Sequence, residues 1–412
     1  MMLLSFLALS ALSLGDAASI PPIAQGPRGG WYHEPGHPVT RLFQRGTPNP
    51  PHGLQTILDA FSGPFPPPNI PQSWIAALNA SMAAGKIPNI PVTTMAGNGL
   101  PAYPNKLNPS DPSVCSTTYG CYAPGDLWNA PNGTVGLSFD DGPLPTSPPL
   151  YTFLKSNNLH ATHFFIGVNI LHNPNVFLQA FQDNQDHIAV HTYTHPYMTT
   201  KSNLDVLAEL GYTSQIIADS TGGLVPKYWR PPYGDADNRV RAIAKEVFGL
   251  TTVIWNQDSA DWELSGSGIS LATVEASLKS WWSGPKSPGL IVLEHELSTG
   301  SVQAFIDTYP VLKANGWNIG TIPDVSLDPS KAWYQNAFND TSPATSQTII
   351  PGTGSPVPPG ATPPGPSSTS LTSSISTSTS SSTPKNKSSA SRLVQSSAYI
   401  LVTIAGALVI ML

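Results

Sequence analysis

The chain has 412 residues, of which 40% are hydrophobic and 11% are charged, with a formal net charge of -6. This composition provides enough apolar residues for a sizeable core and excludes the basic surface that a phosphate backbone requires, so we expect no nucleic-acid partner. The 44 prolines and 34 glycines indicate a loop-rich chain, and many of them lie in the two flanks.

The first 18 residues have the features of a secretory signal peptide. Residues 2–14 form an apolar run that is too short to span a bilayer, and small residues follow it. Residues 19–130 are Pro-rich and weakly periodic, so we expect an irregular extension with one helix at 71–85. Its aromatic residues could stack on sugar rings or pack against the main domain, and packing is favoured. They are Trp31, Tyr32, His33 and Trp74.

The two cysteines, Cys115 and Cys121, stand in the segment CSTTYGC. In an exported protein they predict one short-loop disulfide, whereas two free thiols in a cytosolic protein are the alternative. Export also makes N-glycosylation possible at four sequons. They are Asn79, Asn132, Asn339 and Asn386.

Residues 131–326 alternate between strand-like and helix-like segments. The strands are predicted at 134–139, 161–167, 187–191, 227–230, 250–256, 290–294 and 317–321. The helices are predicted at 148–158, 174–184, 203–220, 237–248, 271–282 and 302–315. This alternation predicts an α/β domain with a parallel sheet. We favour a distorted (β/α)7-type barrel over an open doubly wound sheet, because candidate catalytic residues follow several strands and no Gly-rich phosphate loop is present.

The C-terminal flank changes composition. Residues 327–385 are rich in Pro, Ser and Thr, cannot bury enough apolar surface to fold, and predict a disordered, O-glycosylated stalk. Residues 386–412 run from small residues through a polar spacer to a short apolar end, the order of a GPI attachment signal. A retained tail anchor is the alternative. The attachment candidates are Asn386, Ser388 and Ser389.

The segment LSFDDGP places two adjacent acids, Asp140 and Asp141, at the end of a buried strand. Catalytic groups gather at the carboxyl ends of parallel strands. Neighbouring strand residues point to opposite sides, so the two acids are expected to take different roles. A simple Asp-Gly turn is the alternative reading.

The segment HTYTHP carries His191 and His195, four residues apart. Two imidazoles at this spacing can bind one metal ion when the backbone turns, and zinc, cobalt or nickel suits them. With Asp141 the ligand set becomes two histidines and one carboxylate, which leaves positions open for water and substrate. Ordinary core or surface histidines are the alternative.

Three further predicted strands are followed by candidate catalytic or binding residues. In WRPPYGDAD, Arg230 supplies a positive charge for a carboxylate and the two prolines can aim the N–H of Tyr233 at an oxyanion. A rigid turn with a salt bridge is the alternative. In NQDSADW, Asp261 and Trp262 follow a strand, and LIVLEHEL delivers His295 to the same edge. A carboxylate beside His295 would keep it protonated as a general acid.

Five ordered motifs, SFDDGP, HTYTH, RPPYG, DSADW and VLEHE, resemble those of the polysaccharide deacetylases of carbohydrate esterase family 4. The resemblance covers about residues 130–325. With the stalk and anchor, the chain is similar to the fungal chitin deacetylases of that family. Ser138 stands where the family usually has Thr, and Glu296 where Asp is frequent.

The resemblance implies a role for each site residue. It implies that Asp140 is the general base oriented by Arg230, and that His295 is the general acid tuned by Asp261. The implied metal ligands are Asp141, His191 and His195, with zinc or cobalt as the metal. The implied substrate contacts are the Tyr233 N–H at the oxyanion and Trp262 and Leu293 around the acetyl methyl group.

The implied activity is metal-dependent hydrolysis of the N-acetyl groups of chitin or its oligosaccharides, giving chitosan and acetate. The implied location is the outer face of the plasma membrane and the cell wall, with attachment through a GPI lipid. Two alternatives remain, an esterase for O-acetylated polysaccharides and a non-catalytic wall mannoprotein that binds glycan. The sequence makes no prediction of oligomeric state.

Overall fold

A computed structural model describes residues 37–42 and 70–336, apart from 222, 267 and 329. The predicted signal peptide and lipid-attachment segment, nearly all of the predicted stalk, and several named candidates lie outside these residues. Those candidates are Trp31, Tyr32, His33, Asn339, Asn386, Ser388 and Ser389. Within the described ranges, every helix is too short or too polar to cross a bilayer.

The N-terminal extension packs on one side of the main domain. Its elements are α1 (Val39–Leu42), α2 (Gln72–Ala83) and an antiparallel pair, β1 (Thr94–Met95) with β2 (Pro101–Ala102). Trp74 of α2 is buried, with edge-on contacts to Tyr212 and Phe248. Trp74 therefore serves packing, as expected. The predicted disulfide between Cys115 and Cys121 is confirmed.

Each of the seven predicted strands is present in the main domain, and several are divided into short segments. They are β3 (Thr134–Gly136) with β4 (Ser138–Asp140), β5 (Thr162–Phe165), β6 (His187–Val190), β7 (Tyr228–Trp229), β8 (Thr251–Thr252) with β9 (Gln257–Asp258), β10 (Leu290–Leu293) and β11 (Asn318–Gly320). All pairings between them are parallel.

The pairing pattern closes the sheet into a barrel. One run of pairs goes from β4 through β5, β6 and β7 to β8. The chain continues from β8 into β9, which pairs with β10, and β10 pairs with β3. Because β3 and β4 are consecutive parts of one strand, the ring is complete, with β11 beside β3. The predicted distorted seven-stranded barrel is thus confirmed.

Helices cover the outside of the barrel. They are α3 (Pro148–Ser156), α4 (Gly167–His172), α5 (Pro174–Leu178), α6 (Asn203–Ser220), α7 (Asn238–Phe248), α8 (Leu271–Trp282), α9 (Thr299–Ala314) and the short α10 (Ile322–Val325). Side-chain caps begin four of the long ones, at Ser202, Asp237, Ser270 and Ser298. The helix predicted at 302–315 begins earlier because of the Ser298 cap, and α4 was not predicted.

Alternating strand residues build two cores. Phe164 and Ala189 belong to a smaller cluster inside the barrel, whereas their neighbours Phe165 and Val190 belong to the larger cluster under the helices. Both faces of the strands are therefore apolar, as expected for a parallel sheet covered by helices.

The packed domain extends beyond the predicted boundary at residue 326. Trp333 and Tyr334 are buried, and the Ile188 N–H donates to the Tyr334 hydroxyl at 3.2 Å. Pro226 and Tyr334 also form an isolated antiparallel β-bridge. The stalk prediction starting at 327 is therefore too early. A two-residue aromatic run gives no periodicity, and its burial depends on contacts more than 100 residues away.

Candidate active site

All five motifs meet at one edge of the barrel, at the carboxyl ends of the strands. Asp140 ends β4, His191 follows β6, and Arg230 follows β7. Asp261 lies just beyond β9 and His295 just beyond β10. Residues spread over about 155 positions of the sequence are therefore assembled by the parallel register of the barrel.

Three of these side chains form a compact cluster of donor atoms. Oδ1 of Asp141 lies 3.3 Å from Nε2 of His191 and 3.2 Å from Nε2 of His195. One ligand atom from each residue lies within 4.8 Å of the others. The set is the predicted one, and its two nitrogens and one carboxylate oxygen are ligands that zinc-like cations accept.

The surroundings of the cluster fit a cation. Oδ1 of Asp141 is buried and has no hydrogen-bond donor among the described residues. Nδ1 of His191 lies 2.8 Å from the backbone oxygen of Arg230, which holds the proton on Nδ1 and leaves the Nε2 lone pair toward Asp141. An ionised carboxylate and two imidazole lone pairs form a ligand set for one divalent ion.

The second acid of the pair has a different partner. Nη1 of Arg230 donates to Oδ1 of Asp140 at 2.6 Å, and Nη2 donates to Ser138 at 3.0 Å. Arg230 is fully buried, and its guanidinium lies 4.2 Å from the ring centre of Phe164. The other oxygen of Asp140, Oδ2, lies 3.8 Å from Nε2 of His191. One oxygen of Asp140 is therefore held by the guanidinium of Arg230, while the other oxygen lies next to the cluster of Asp141, His191 and His195.

His295 is fixed by Asp261. Nδ1 of His295 lies 2.6 Å from Oδ1 of Asp261, and the His295 backbone N–H donates to Oδ2 at 2.8 Å. Burial opposes protonation of His295, but Asp261, with Asp141 and Asp140, raises its pKa to about 10. Nε2 of His295 has no hydrogen-bond partner among the described residues, so a protonated His295 has one N–H free to donate.

Asp140 and His295 belong to neighbouring strands that are joined by backbone hydrogen bonds. The Asp140 N–H donates to the backbone oxygen of Glu294 at 3.0 Å, and the Glu296 N–H donates to the backbone oxygen of Asp140 at 3.1 Å. These two bonds lock the register between the ends of β4 and β10. The distance between the two side chains is thus set by the barrel and not by a mobile loop.

The remaining predicted residues lie around this edge. Tyr233 and Trp262 are about half exposed, at 52% and 48%, and Tyr233 stacks on Tyr197 with 4.0 Å between ring centres. The Tyr233 ring also contacts His195, at 4.7 Å. Leu293 is buried at the end of β10. Tyr233 thus forms an exposed aromatic surface beside the cluster, and Trp262, next to Asp261 in the sequence, forms a second exposed aromatic surface.

Five non-glycine residues of the site loops have left-handed backbone conformations. They are Asp141, Thr192, His195, Tyr233 and Ala260, with φ between 55° and 75°. Such conformations cost energy for residues with a side chain and persist where the surroundings impose them. Their concentration in four of the five motif loops indicates that these loops are held in shape for function.

Sequence reasoning missed two buried acids that support the site. Glu209 of α6 accepts hydrogen bonds from the loop between His191 and His195. Glu296 contacts buried His163, although the sequence marked it only as a departure from the usual motif. The available signal for Glu209 was an acidic residue within the buried stretch of a long helix.

Comparison with known proteins agrees with this geometry. A family profile described as polysaccharide deacetylase matches residues 129–253. Chitin deacetylase 3 from Cryptococcus neoformans var. neoformans serotype D is 44% identical over 339 residues, covering 80% of this chain and 79% of that protein. This chain belongs to the polysaccharide deacetylase family. Chitin deacetylase from Amylomyces rouxii is 40% identical to this polysaccharide deacetylase over 226 residues, or 52% of this chain and 53% of that one.

Among solved structures, the chitin deacetylase from the fungal pathogen Colletotrichum lindemuthianum is 24% identical to this polysaccharide deacetylase. The match covers 52% of this chain and 97% of that chain, with a TM-score of 0.47. The family profile includes the segments of Asp140, His191 and Arg230, whereas Asp261 and His295 lie beyond residue 253. Their inclusion in the site of this polysaccharide deacetylase rests on the distances given above.

Proposed function

We propose that this enzyme hydrolyses the N-acetyl groups of chitin, releasing acetate and leaving chitosan. The observation that carries the proposal is the pairing of Asp140, held by Arg230, with His295, held by Asp261, on neighbouring strands beside the Asp141, His191 and His195 cluster. A carboxylate and a protonated imidazole near one cation site are the groups that amide hydrolysis needs.

Asp141, His191 and His195 would hold a divalent cation, and we propose zinc or cobalt. When bound, such an ion supplies Lewis-acid polarisation of the acetyl carbonyl and of the attacking water. Asp140 takes the proton from that water as it adds to the carbonyl carbon. Its contact with Arg230 fixes the orientation of the carboxylate, so that Oδ2 remains on the side of the cluster.

His295 completes the reaction by donating its proton to the nitrogen of the leaving sugar amine. The C–N bond then breaks, and the added oxygen stays on the acetate. This step is needed because an unprotonated amine is a poor leaving group. Asp261 holds the imidazole so that Nδ1 is occupied and the proton on Nε2 is the one transferred.

The N–H of Tyr233 is the proposed donor to the oxyanion. Tyr233 has φ 57°, and its N–H has no acceptor among the described residues. Pro231 and Pro232 before it restrict the backbone, so little reorganisation is required when negative charge develops. Leu293 and Trp262 are proposed to line the space for the acetyl methyl group.

Chitin is the proposed substrate because two relatives of this chain, at 44% and 40% identity, carry the name chitin deacetylase. The exposed rings of Tyr233 and Trp262 suit a polymer of sugar rings, which present apolar faces for stacking. We also propose secretion, N-glycosylation at exposed Asn79 and Asn132, and attachment to the outer cell surface through a GPI lipid.

Acetate release from chitin hexamers tests the proposal. We expect release that a chelator abolishes and that zinc or cobalt restores. Release from O-acetylated xylan but not from chitin oligomers would instead indicate an esterase, and binding without release would indicate a glycan-binding wall protein.

Two single variants test the different roles of the adjacent acids. Asp141→Ala should lose bound metal, because it removes a ligand. Asp140→Asn should keep the metal and lose about 10² to 10⁴ in turnover, because it removes the base. Metal content by mass spectrometry beside acetate release distinguishes them, and wild-type turnover in Asp140→Asn would contradict the assignment.

A further inference from the structure

Glu209 is a buried acid that the proposed reaction does not use. It lies in the second turn of α6, 14 residues after His195, and is fully buried. No salt bridge among the described residues includes its carboxylate. A buried carboxylate without an ionic partner needs several hydrogen bonds to offset the loss of hydration.

The loop between the two metal-site histidines supplies those hydrogen bonds. Oε2 of Glu209 accepts from the Tyr193 N–H at 2.7 Å and from the Thr194 N–H at 2.8 Å. Oε1 accepts from the Thr194 hydroxyl. Three donors from two adjacent residues thus converge on one side chain.

This loop has a backbone that would not keep its shape by itself. Thr192 and His195 have φ of 64° and 59°, which are unfavourable for residues with side chains. The loop has one internal side-chain bond, from the His195 N–H to the Thr192 hydroxyl at 3.1 Å. The carbonyl oxygens of Thr192 and Tyr193 accept from the N–H groups of Gly167 and Val168, and the bonds to Glu209 fix the N–H groups of Tyr193 and Thr194.

We propose that Glu209 is a positioning residue that preorganises the His191–His195 turn for metal binding. The inference rests on the metal site of the proposed function and adds to it a residue that touches neither metal nor substrate. Outer partners that orient metal ligands commonly change metal affinity by about 10- to 100-fold when they are removed.

Glu209→Gln is the sharpest test because the side chain keeps its size. An amide has one acceptor oxygen, so its NH2 group would face at least one of the three loop donors. We expect the variant to bind zinc and cobalt about 10-fold or more weakly in calorimetric titration of chelator-treated protein. The absorption spectrum of the cobalt form should also broaden or shift, because the two imidazoles no longer hold one geometry.

Thr194→Val is a milder second variant for the case in which Glu209→Gln does not fold. It removes one donor and keeps both backbone bonds, and we expect a loss of about fivefold in metal affinity. Asp205→Asn is the matched control on the same helix. Asp205 belongs to the capping box of α6 with Ser202, so its loss should lower stability and leave metal affinity unchanged.

The outcomes separate the two proposals. Wild-type protein that binds neither zinc nor cobalt would overturn the metal site itself. If the wild type binds metal and folded Glu209→Gln shows the same affinity and cobalt spectrum, the role of Glu209 alone is overturned. If Glu209→Gln does not fold, the same result in Thr194→Val overturns it. Equal loss of affinity in Asp205→Asn would also overturn it, because general loosening of α6 would then be the cause.

Discussion

Two buried histidines in this enzyme, His295 and His163, have similar neighbours and different positions. His163 lies within β5, with Nδ1 3.0 Å from Oε1 of Glu296 and Nε2 3.2 Å from Oδ2 of Asp186. His295 lies at the open edge of the barrel, with Nδ1 on Asp261. Burial disfavours the charged form of His163, but Glu296 and Asp186 outweigh it and raise its pKa to about 9, as the pKa of His295 is raised to about 10.

The difference lies in the second ring nitrogen. Both nitrogens of His163 contact carboxylates, and rings of Phe139, Phe165 and Tyr151 surround it under the helices. His295 keeps Nε2 without a protein partner in the described part of the chain. A raised pKa therefore does not by itself identify an acid catalyst, because a proton can be transferred only from a nitrogen that substrate can reach.

The two histidines are nevertheless connected. Glu296, the partner of His163, directly follows His295, and its N–H donates to the backbone oxygen of Asp140. The Thr146 hydroxyl also donates to the backbone oxygen of Glu296 at 2.9 Å. The buried His163 network thus holds the strand end that carries His295 next to the end of β4, which carries Asp140.

Replacing His295 should give the largest effect on turnover. We expect His295→Gln to lose about 10² to 10⁴ in acetate release, because the leaving amine loses its proton donor. Metal content should remain near the wild-type value. A turnover close to wild type would show that His295 is not the acid, and lost metal would show that the variant disturbs the cluster instead.

Replacing His163 should give the opposite pattern. His163→Phe leaves Glu296 and Asp186 buried without their shared cation, and breaking a buried ionic group typically costs about 3–5 kcal/mol of unfolding free energy. Urea denaturation measures the loss, and turnover per folded molecule should fall far less than in His295→Gln.

The double variant His163→Phe with Glu296→Leu is the control for this loss. It removes one of the stranded carboxylates, so it should recover part of the unfolding free energy. If His163→Phe is as stable as wild type, the network contributes nothing to stability and the contrast between the two histidines fails.

The pH dependence of stability gives a smaller, separate signal. The folded pKa of His163, about 9, exceeds the ordinary value of 6.5, so the folded state holds this proton more tightly than the unfolded state. Its stabilisation is complete below pH 6.5 and is lost as the pH rises through about 9. Urea denaturation between pH 6 and 9.5 should show that the difference in midpoint between wild type and His163→Phe decreases as the pH rises. A difference that stays constant over this range would contradict the assignment.

Gly142→Ala tests the connection between the two histidines and should have the smallest effect. A Cβ at Gly142 would lie 2.3 Å from Oε1 of Glu296 and 2.7 Å from Phe165. Such overpacking costs about 1–3 kcal/mol, and the displaced Glu296 should also lower turnover by moving the strand end beside Asp140. Unchanged turnover in the destabilised variant would show that the His163 network does not affect the site.

The strands and most helices could be predicted because their signals are local. Helices α6 and α8 occupy their predicted residues, 203–220 and 271–282, since apolar periodicity and a serine cap mark them in the sequence. The helix predicted at 174–184 was interrupted, with α5 ending at Leu178 and a wider π turn following at 179–183. That irregularity leaves no pattern in the side chains.

The sequence by itself determined which residues stand at strand ends, because a buried strand followed by DDGP, HTYTH or RPPYG is a local pattern. Only the tertiary structure decided which buried groups support them. Glu209, Asp186 and His163 look like ordinary residues of a helix, a turn and a strand until packing brings Glu209 to Thr194 and His163 between two carboxylates. The physical reason is that burial and electrostatic contact depend on neighbours across the barrel, which no window of adjacent residues contains.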